Sequence, residues 1–398
     1  NSFLNFQKSK NFLLDSLSIS NNNFTEFSLE RFTKALKGKN SLTALDLMGN
    51  ESTLDWSKIF QNILLFGNLN RLDVSDNMLE DPGLSALSLY LIGTKNLTQL
   101  DLNDIDPGFE GLKTLNEALS RNDCLTNLSI SRNGICEDYL ADIASYLKIT
   151  NMLTYLNLSR NNLGQEAMYD LEEVLIENQS LTNLNLSGNY ICNENDDGLN
   201  SLLMGVSKHE KLVILNLANN EIFKKNQADF FKYLISAKLK TLDLSHNKVG
   251  GVIYNLNPMF NLNPLFEFLF INNSIENIEL KGCGFNIFLR LSLITHLNRL
   301  NEIPTPNSLR KILCVNNLIN SCTKNILSKG KINISQPILT VFGNHNLRLD
   351  VKGRKPRKAK EIKASLFEKM PFELFYKSLE CLVGIGHLKP RKLVRVGI

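Results

Sequence analysis

The chain has 398 residues, of which 43% are hydrophobic and 21% charged, and its formal net charge is +4 at pH 7. That length exceeds an ordinary single compact core, so a repetitive build with one continuous core is expected. No run of about 18 uncharged apolar residues occurs, which argues against a membrane-spanning helix, and the opening Asn1-Ser-Phe-Leu-Asn-Phe-Gln-Lys lacks a basic-then-apolar leader pattern. The charge is uneven. Residues 1–347 carry 30 Lys and Arg against 35 Asp and Glu, whereas residues 348–398 carry 14 against 5. The expected organisation is an acidic array over 1–347 and a basic segment with a helical cap over 348–398.

A repeated phrase runs through the first part. It opens as Leu14-Asp-Ser-Leu17-Ser-Ile19-Ser-Asn-Asn22 and returns as Leu42-Thr-Ala-Leu45-Asp-Leu47-Met-Gly-Asn50 and Leu69-Asn-Arg-Leu72-Asp-Val74-Ser-Asp-Asn77. Further copies centre on Asn133, Asn161, Asn189, Asn220 and Asn247. Ile105 and Cys283 stand where Asn is expected in two copies, and Cys314 replaces the third Leu before Asn317. That makes eleven copies, with a frayed one near Asn344 to Asn346. The Asn positions are mostly 27 or 28 residues apart, and the spacing widens to 36 and 34 around Cys283 and Asn317. Insertions are expected there, with Asn255-Leu-Asn-Pro-Met-Phe-Asn-Leu-Asn-Pro264 read as a loop.

Each copy can be read physically. The alternating leucines share one face of a short strand. The Asn closes the turn after it, where its amide can bond neighbouring backbone groups. Between strands, apolar residues recur at helical spacing: Leu29, Phe32, Ala35 and Leu36, then Leu112, Leu115, Ala118 and Leu119, then Leu171, Val174 and Leu175. One unit cannot bury its apolar face alone, but stacked units bury a continuous core. The pattern resembles the leucine-rich-repeat family over roughly residues 12–347, and a unit near 28 is similar to the ribonuclease-inhibitor-like subclass. The resemblance implies an α/β solenoid, a horseshoe with parallel inner strands, outer helices and a small helical C-terminal cap.

Seven cysteines, at 124, 136, 192, 283, 314, 322 and 381, include no Cys-x-x-Cys pair. They read as small buried thiols of a protein in a reducing compartment. The sequons at Asn127, Asn157 and Asn185 fall in expected strands, where a glycan would crowd its neighbours. Both readings favour an intracellular, cytoplasmic location.

The alternate strand positions not taken by leucine would face the inside of the solenoid. The early copies place Asp46, Asp73, Asp76, Asp101 and Asp104 there as an acidic stripe, which would attract a basic partner. Interface anchors are usually Trp, Tyr and Arg. On this face they reduce to Tyr155, with Arg71, Arg132 and Arg160 at strand edges or turns. These nine residues are the candidate partner-binding set.

Past the repeats, Lys352, Arg354, Lys355, Arg357, Lys358 and Lys360 form a basic patch. Such runs serve as import signals, as contacts to anionic lipid or RNA, or as solvated linkers. No aromatic residue interleaves the run, which argues against nucleic acid. The following Met370-Pro371-Phe-Glu373-Leu374, with Leu379 downstream, is similar to the opening of an F-box. That resemblance implies a substrate adaptor bound to a ubiquitin-ligase scaffold. The alternative reading is a helix that closes the open end of the array.

No catalytic motif emerges. The five histidines form no metal-binding spacing, and no phosphate-binding Gly-rich loop or nucleophile elbow occurs. No metal, cofactor or enzymatic role is expected. The expected function is protein–protein recognition through the horseshoe surface. Richness in Asn, Lys, Ile and Phe, with degenerate repeats and a short tail, is similar to leucine-rich-repeat effectors that intracellular bacterial pathogens deliver into host cells. That likeness implies a host protein as partner and secretion into the host cell, with the nucleus reachable through the basic run.

Overall fold

A computed structural model describes residues 14–22, 24–36, 41–50, 55–63, 67–192, 197–222, 228–248, 268, 271, 272 and 274–283. The chain divides into two units, Asn1–Asp243 and Leu244–Ile398. The first runs β1 (Ser16–Ser18), α1 (Glu26–Leu36), β2 (Ala44–Asp46), α2 (Trp56–Ile63), β3 (Arg71–Asp73), α3 (Glu80–Gly93), β4 (Gln99–Asp101), α4 (Phe109–Leu119), β5 (Asn127–Ser129), α5 (Glu137–Ile149), β6 (Tyr155–Asn157), α6 (Glu166–Glu177), β7 (Asn183–Asn185), α7 (Asp197–Lys208), β8 (Ile214–Asn216), α8 (Ala228–Leu234) and β9 (Thr241–Asp243). In the second unit, β10 spans Asn277–Glu279. Each strand is the three-residue x-Leu-x centred on the second leucine of one copy (isoleucine in β10), and each helix lies in a segment between two such copies.

In the first unit the strands pair in parallel, each with the next in sequence, and their leucines lie in one line from Leu17 through Leu45, Leu72 and Leu100 to Leu242. Neighbouring strands are about 4.8 Å apart, so this line is a continuous apolar rib. From Leu45 onward it is fully buried, and Leu17, in the end strand, is half-buried. Across from the rib sit the helix residues with the expected spacing: Leu29, Phe32 and Leu36, then Leu84, Leu87 and Leu91, then Leu140, Ile143 and Leu147. Each such side chain contributes roughly 1.5–3 kcal/mol when buried. The architecture is therefore a leucine-rich-repeat α/β solenoid with its core between one sheet and one layer of helices.

The turn after each strand is held by the repeat asparagine. Its Oδ1 accepts the main-chain N–H of the preceding copy's asparagine: Asn50 to Asn77 at 2.9 Å, Asn133 to Asn161 at 2.8 Å, Asn161 to Asn189 at 3.1 Å and Asn189 to Asn220 at 3.0 Å. Its Nδ2 donates to carbonyls of its own copy and the one before. For Asn161 these are Leu158 O and Ile130 O, both at 3.0 Å. The amides are buried, and Asn161, which also accepts Ile135 N–H, satisfies four groups that water cannot reach. At Ile105 the slot holds an apolar side chain, although its own N–H still donates to Asn133 Oδ1 at 2.9 Å.

One residue earlier the backbone is left-handed in copy after copy: Asn21, Gly49, Asp76, Asp104, Arg132, Arg160, Gly188 and Asn219 all have φ between 52° and 73°. Glycine takes this conformation without strain, and Gly49 also lies close to the side chain of the copy before it. A Cβ on Gly49 would lie 2.4 Å from Asn21 Oδ1. On the helical side Gly198 meets a different demand, close approach: a Cβ there would lie 2.5 Å from the Gln165 carbonyl oxygen.

The second unit repeats the same step. Leu244 N–H donates to Glu279 O at 2.9 Å, His246 N–H to Lys281 O at 2.6 Å, and Leu244, Ile278 and Leu280 are buried. Of the described cysteines, Cys192 and Cys283 are buried as expected, but Cys124 and Cys136 are only half-buried. The copy at Asn317, the loop at 255–264, the boundary at 347/348 and the C-terminal cap lie outside the described residues.

Asn161→Ala strips the acceptor from Asn133 N–H and Ile135 N–H and the donor from two carbonyls. It should lose about 3 kcal/mol in urea denaturation, whereas Asn162→Ala, on an exposed neighbour, should change stability by less than about 0.5 kcal/mol. Gly198→Ala should cost roughly 1–3 kcal/mol in the same assay, because the clash is with backbone rather than with a movable side chain.

Candidate functional site

The side of the sheet away from the leucine rib presents two rows. The first strand position places Arg71, Gln99, Asn127, Tyr155, Asn183 and Ile214 in register across β3 to β8, and the third places Asp46, Asp73, Asp101, Ser129, Asn157, Asn185 and Asn216 across β2 to β8. Most of these residues are half-buried, while Arg71 and Ile214 are exposed. The leucines between them are buried, so the strand residues alternate between the core and the other side of the sheet.

The three strand aspartates differ in their partners. Asp46 accepts the Ser18 hydroxyl at 2.7 Å and Met48 N–H at 3.0 Å, and Asp73 accepts Ser75 N–H at 3.0 Å. Asp101 takes the Gln99 amide at 2.9 Å and lies 3.5 Å from Arg71 Nη2. Asp46 and Asp73 have no ion pair among the described residues. Partial burial raises the Asp73 carboxyl above the usual carboxylate range, against hydrogen bonds from Ser75, and the charges of Asp101 and Asp46 on either side raise it further. The row is thus an electrostatically loaded ridge, loosely compensated at one end by an exposed guanidinium of small stabilising effect.

Asp76, Asp104, Arg132 and Arg160 occupy a different place. They stand in the left-handed turn row, with φ of 52°, 55°, 57° and 56°, so the acidic stripe read from the sequence is two rows, one on strands and one on turns. The turn row changes sign along its length, from two aspartates to two arginines. Arg132 Nη1 pairs with Asp104 Oδ2 at 3.2 Å, with both side chains about half exposed. Arg160 is exposed, and its Cγ would lie 3.1 Å from a Cβ on Gly188. Tyr155 is half-buried, and burial raises its phenol pKa, with a smaller push from the Asp101 charge. Arg71, Asp101 and Tyr155 thus share one electrostatic neighbourhood, while Asp46 and Arg160 lie toward opposite ends of the candidate set.

A polar pavement continues the face, and single-residue reading missed it. Asn103 Oδ1 accepts the hydroxyls of Ser129 and Ser131 at 2.6 and 2.7 Å, its Nδ2 donates to Ser75 Oγ at 3.1 Å, and Asn157 Nδ2 donates to Ser129 Oγ at 2.8 Å. The signal lay in small hydroxyl residues recurring at 28-residue steps, which only register turns into neighbours. The basic residues 352–360 and the adaptor positions 370–379 lie outside the described residues. Among the described residues, no cluster of side chains fits a metal ion, and no helix is long and apolar enough to cross a membrane.

A leucine-rich-repeat family model matches residues 68–88, 151–171 and 236–253. These three segments are similar to leucine-rich repeats. The matched segments cover the third and sixth copies and the turn after β9, which agrees with the strand, turn and helix just described. No curated protein matches the chain. Among solved structures, the chain is similar to Leiomodin-1 Actin-Binding Site 2 at 14% identity, over 49% of this chain and 95% of that one, with a TM-score of 0.33. Leucine-rich repeats generally serve as protein-binding modules rather than as enzymes.

Because the Asp73 carboxyl titrates higher when folded than when unfolded, the folded state binds more protons, and its contribution turns unfavourable as pH rises through the carboxylate range. Asp73→Asn keeps an oxygen for Ser75 N–H and removes the charge. It should raise the melting temperature at pH 7 and leave it unchanged near pH 3, as differential scanning calorimetry would show.

Proposed function

We propose that this chain is a protein-recognition module that engages its partner through the strand face from β2 to β6. The observation that carries the reading is the in-register row of Asp46, Asp73 and Asp101, two of whose carboxylates have no cation partner among the described residues. Such a row favours a partner that brings Lys or Arg, and the charge pattern sets encounter rate and orientation more than affinity. Arg71, Arg132, Arg160 and Tyr155 supply the anchor types that carry binding energy, and Asp76 and Asp104 extend the acidic field along the turns. A unit near 28 residues is in keeping with the ribonuclease-inhibitor-like subclass. The composition supports an effector that meets a host protein inside a cell.

The F-box-like phrase from Met370 to Leu379, with Glu373 in its motif position, supports a second reading, in which the array selects a substrate and the tail recruits a ubiquitin-ligase scaffold. One affinity-capture experiment from eukaryotic lysate separates the readings. With Asp46→Asn, Asp73→Asn, Asp101→Asn in the full chain, the partner captured by the unaltered chain should fall at least tenfold and lose its salt dependence. With Pro371→Ala, Leu374→Ala, the module reading expects unchanged capture, whereas the adaptor reading expects selective loss of a ligase subunit. Full retention of every partner by the aspartate variant would remove the strand face from the proposal.

A further inference from the structure

Some of the junctions that lead from a helix to the next strand are also tied by an asparagine side chain. Asn122 Oδ1 accepts Cys124 N–H and Leu125 N–H at 3.2 and 3.0 Å, while its Nδ2 donates to Leu91 O. Asn178 does the same one helix pair later. It accepts Ser180 N–H and Leu181 N–H at 2.9 and 3.1 Å, and it donates to Leu147 O and Thr150 O. A step of 31 residues, the step that separates Asn189 from Asn220, carries Asn178 to His209. There an imidazole fills the slot. His209 Nδ1 accepts Lys211 N–H at 3.1 Å and Leu212 N–H at 3.0 Å.

The replacement changes what the slot can tolerate. An amide carries no proton chemistry near neutral pH, but an imidazole does. Two N–H donors on Nδ1 require the neutral ring, with its proton on Nε2. The ring is 1% exposed, and among the described residues Nε2 makes no hydrogen bond of ordinary geometry, with only the Asn178 main chain acting weakly on it. A proton added at Nδ1 would expel both donors and place a charge where water does not reach. Burial first, and then the Lys211 charge, pull the His209 pKa from 6.5 down to about 4, with the Asn178 main chain opposing weakly. The charged groups of the elements around the junction are Glu177 at the end of α6, Lys208 at the end of α7, Glu210 and Lys211 after it, and Lys232 and Lys238 in and after α8. All are exposed, and among the described residues none makes an ion pair with the ring.

We propose that His209 is an acid-sensitive latch on the α7–β8 junction: neutral, it ties the junction as Asn122 and Asn178 tie theirs, and protonated, it lets that junction open while the asparagine junctions stay closed. The inference stands independently of any binding partner. The sign follows from linkage. The opened state has the ordinary imidazole pKa and binds more protons than the closed one between pH 6.5 and about 4, so opening grows as pH falls through that window and levels off below it.

Hydrogen exchange of the full chain, with rates corrected for the intrinsic effect of pH, tests this at three junctions at once. Between pH 7 and pH 5, protection at Lys211 and Leu212 should fall about tenfold. Protection at Leu125 and Leu181 should hold within about twofold. In His209→Asn, which restores the amide found at the other junctions, protection at Lys211 and Leu212 should match the pH 7 value at both pH values. Equal loss at all three junctions, no loss at Lys211 and Leu212, or the same loss in His209→Asn would each overturn the proposal. The comparison among junctions within the unaltered protein keeps the test decisive even if the variant folds poorly.

Discussion

The structure depends on one arrangement, the asparagine whose amide closes its own turn while bonding the copy before it. In a parallel stack of three-residue strands, the ladder hydrogen bonds end within a turn of where they start. The backbone then has to bend toward a helix, and its N–H and C=O groups would be left buried and unpaired. The asparagine Oδ1 and Nδ2 take up those groups on both sides of the repeat boundary, as with Asn133 and Asn161. Because each amide spans two copies, the bond that closes a turn also fixes the register of the next strand. Stability in such an array is a sum over copies and the interfaces between them, and this amide belongs to both terms.

Two consequences follow for the rest of the molecule. The bend places a left-handed residue before each asparagine, which explains why glycine and asparagine recur there and why aspartate and arginine appear in some copies. The bend also sends every leucine to one side. The other side of the sheet has no packing duty, so its residues vary without cost to the core: aspartates over β2 to β4, serines and asparagines from β5 to β8. A repeat protein can separate stability from recognition in this way, and the proposed binding face is the one that the core does not use.

The helix-to-strand junctions obey the same logic with a different chemistry at one point. Asn122 and Asn178 satisfy buried N–H groups with a group that does not titrate, whereas His209 performs the same task with one that does. The general principle is that a buried donor needs an acceptor. Which acceptor is supplied decides whether that part of the solenoid is indifferent to acid or responsive to it.

The repeat, the strand positions, the helical segments and the solenoid class were legible in the sequence, because Leu-x-x-Leu-x-Leu-x-x-Asn returns at near-constant spacing and each position has one physical duty. The candidate residues were legible as types for the same reason, since counting along a strand separates buried from exposed side chains. Register and turn geometry were not. Asp76 and Asp104 read as members of one stripe with Asp46, Asp73 and Asp101, yet a left-handed turn carries them onto another row, because a backbone reversal is set by bonds to the neighbouring copy. The half-burial of Cys124 and Cys136, the Asn103 network and the equivalence of His209 to Asn178 likewise exist only between copies. The sequence by itself determined which residues each copy buries, through hydrophobic periodicity. Only the tertiary structure decided which polar groups meet across copies, because those meetings depend on the exact offset with which one repeat stacks on the next.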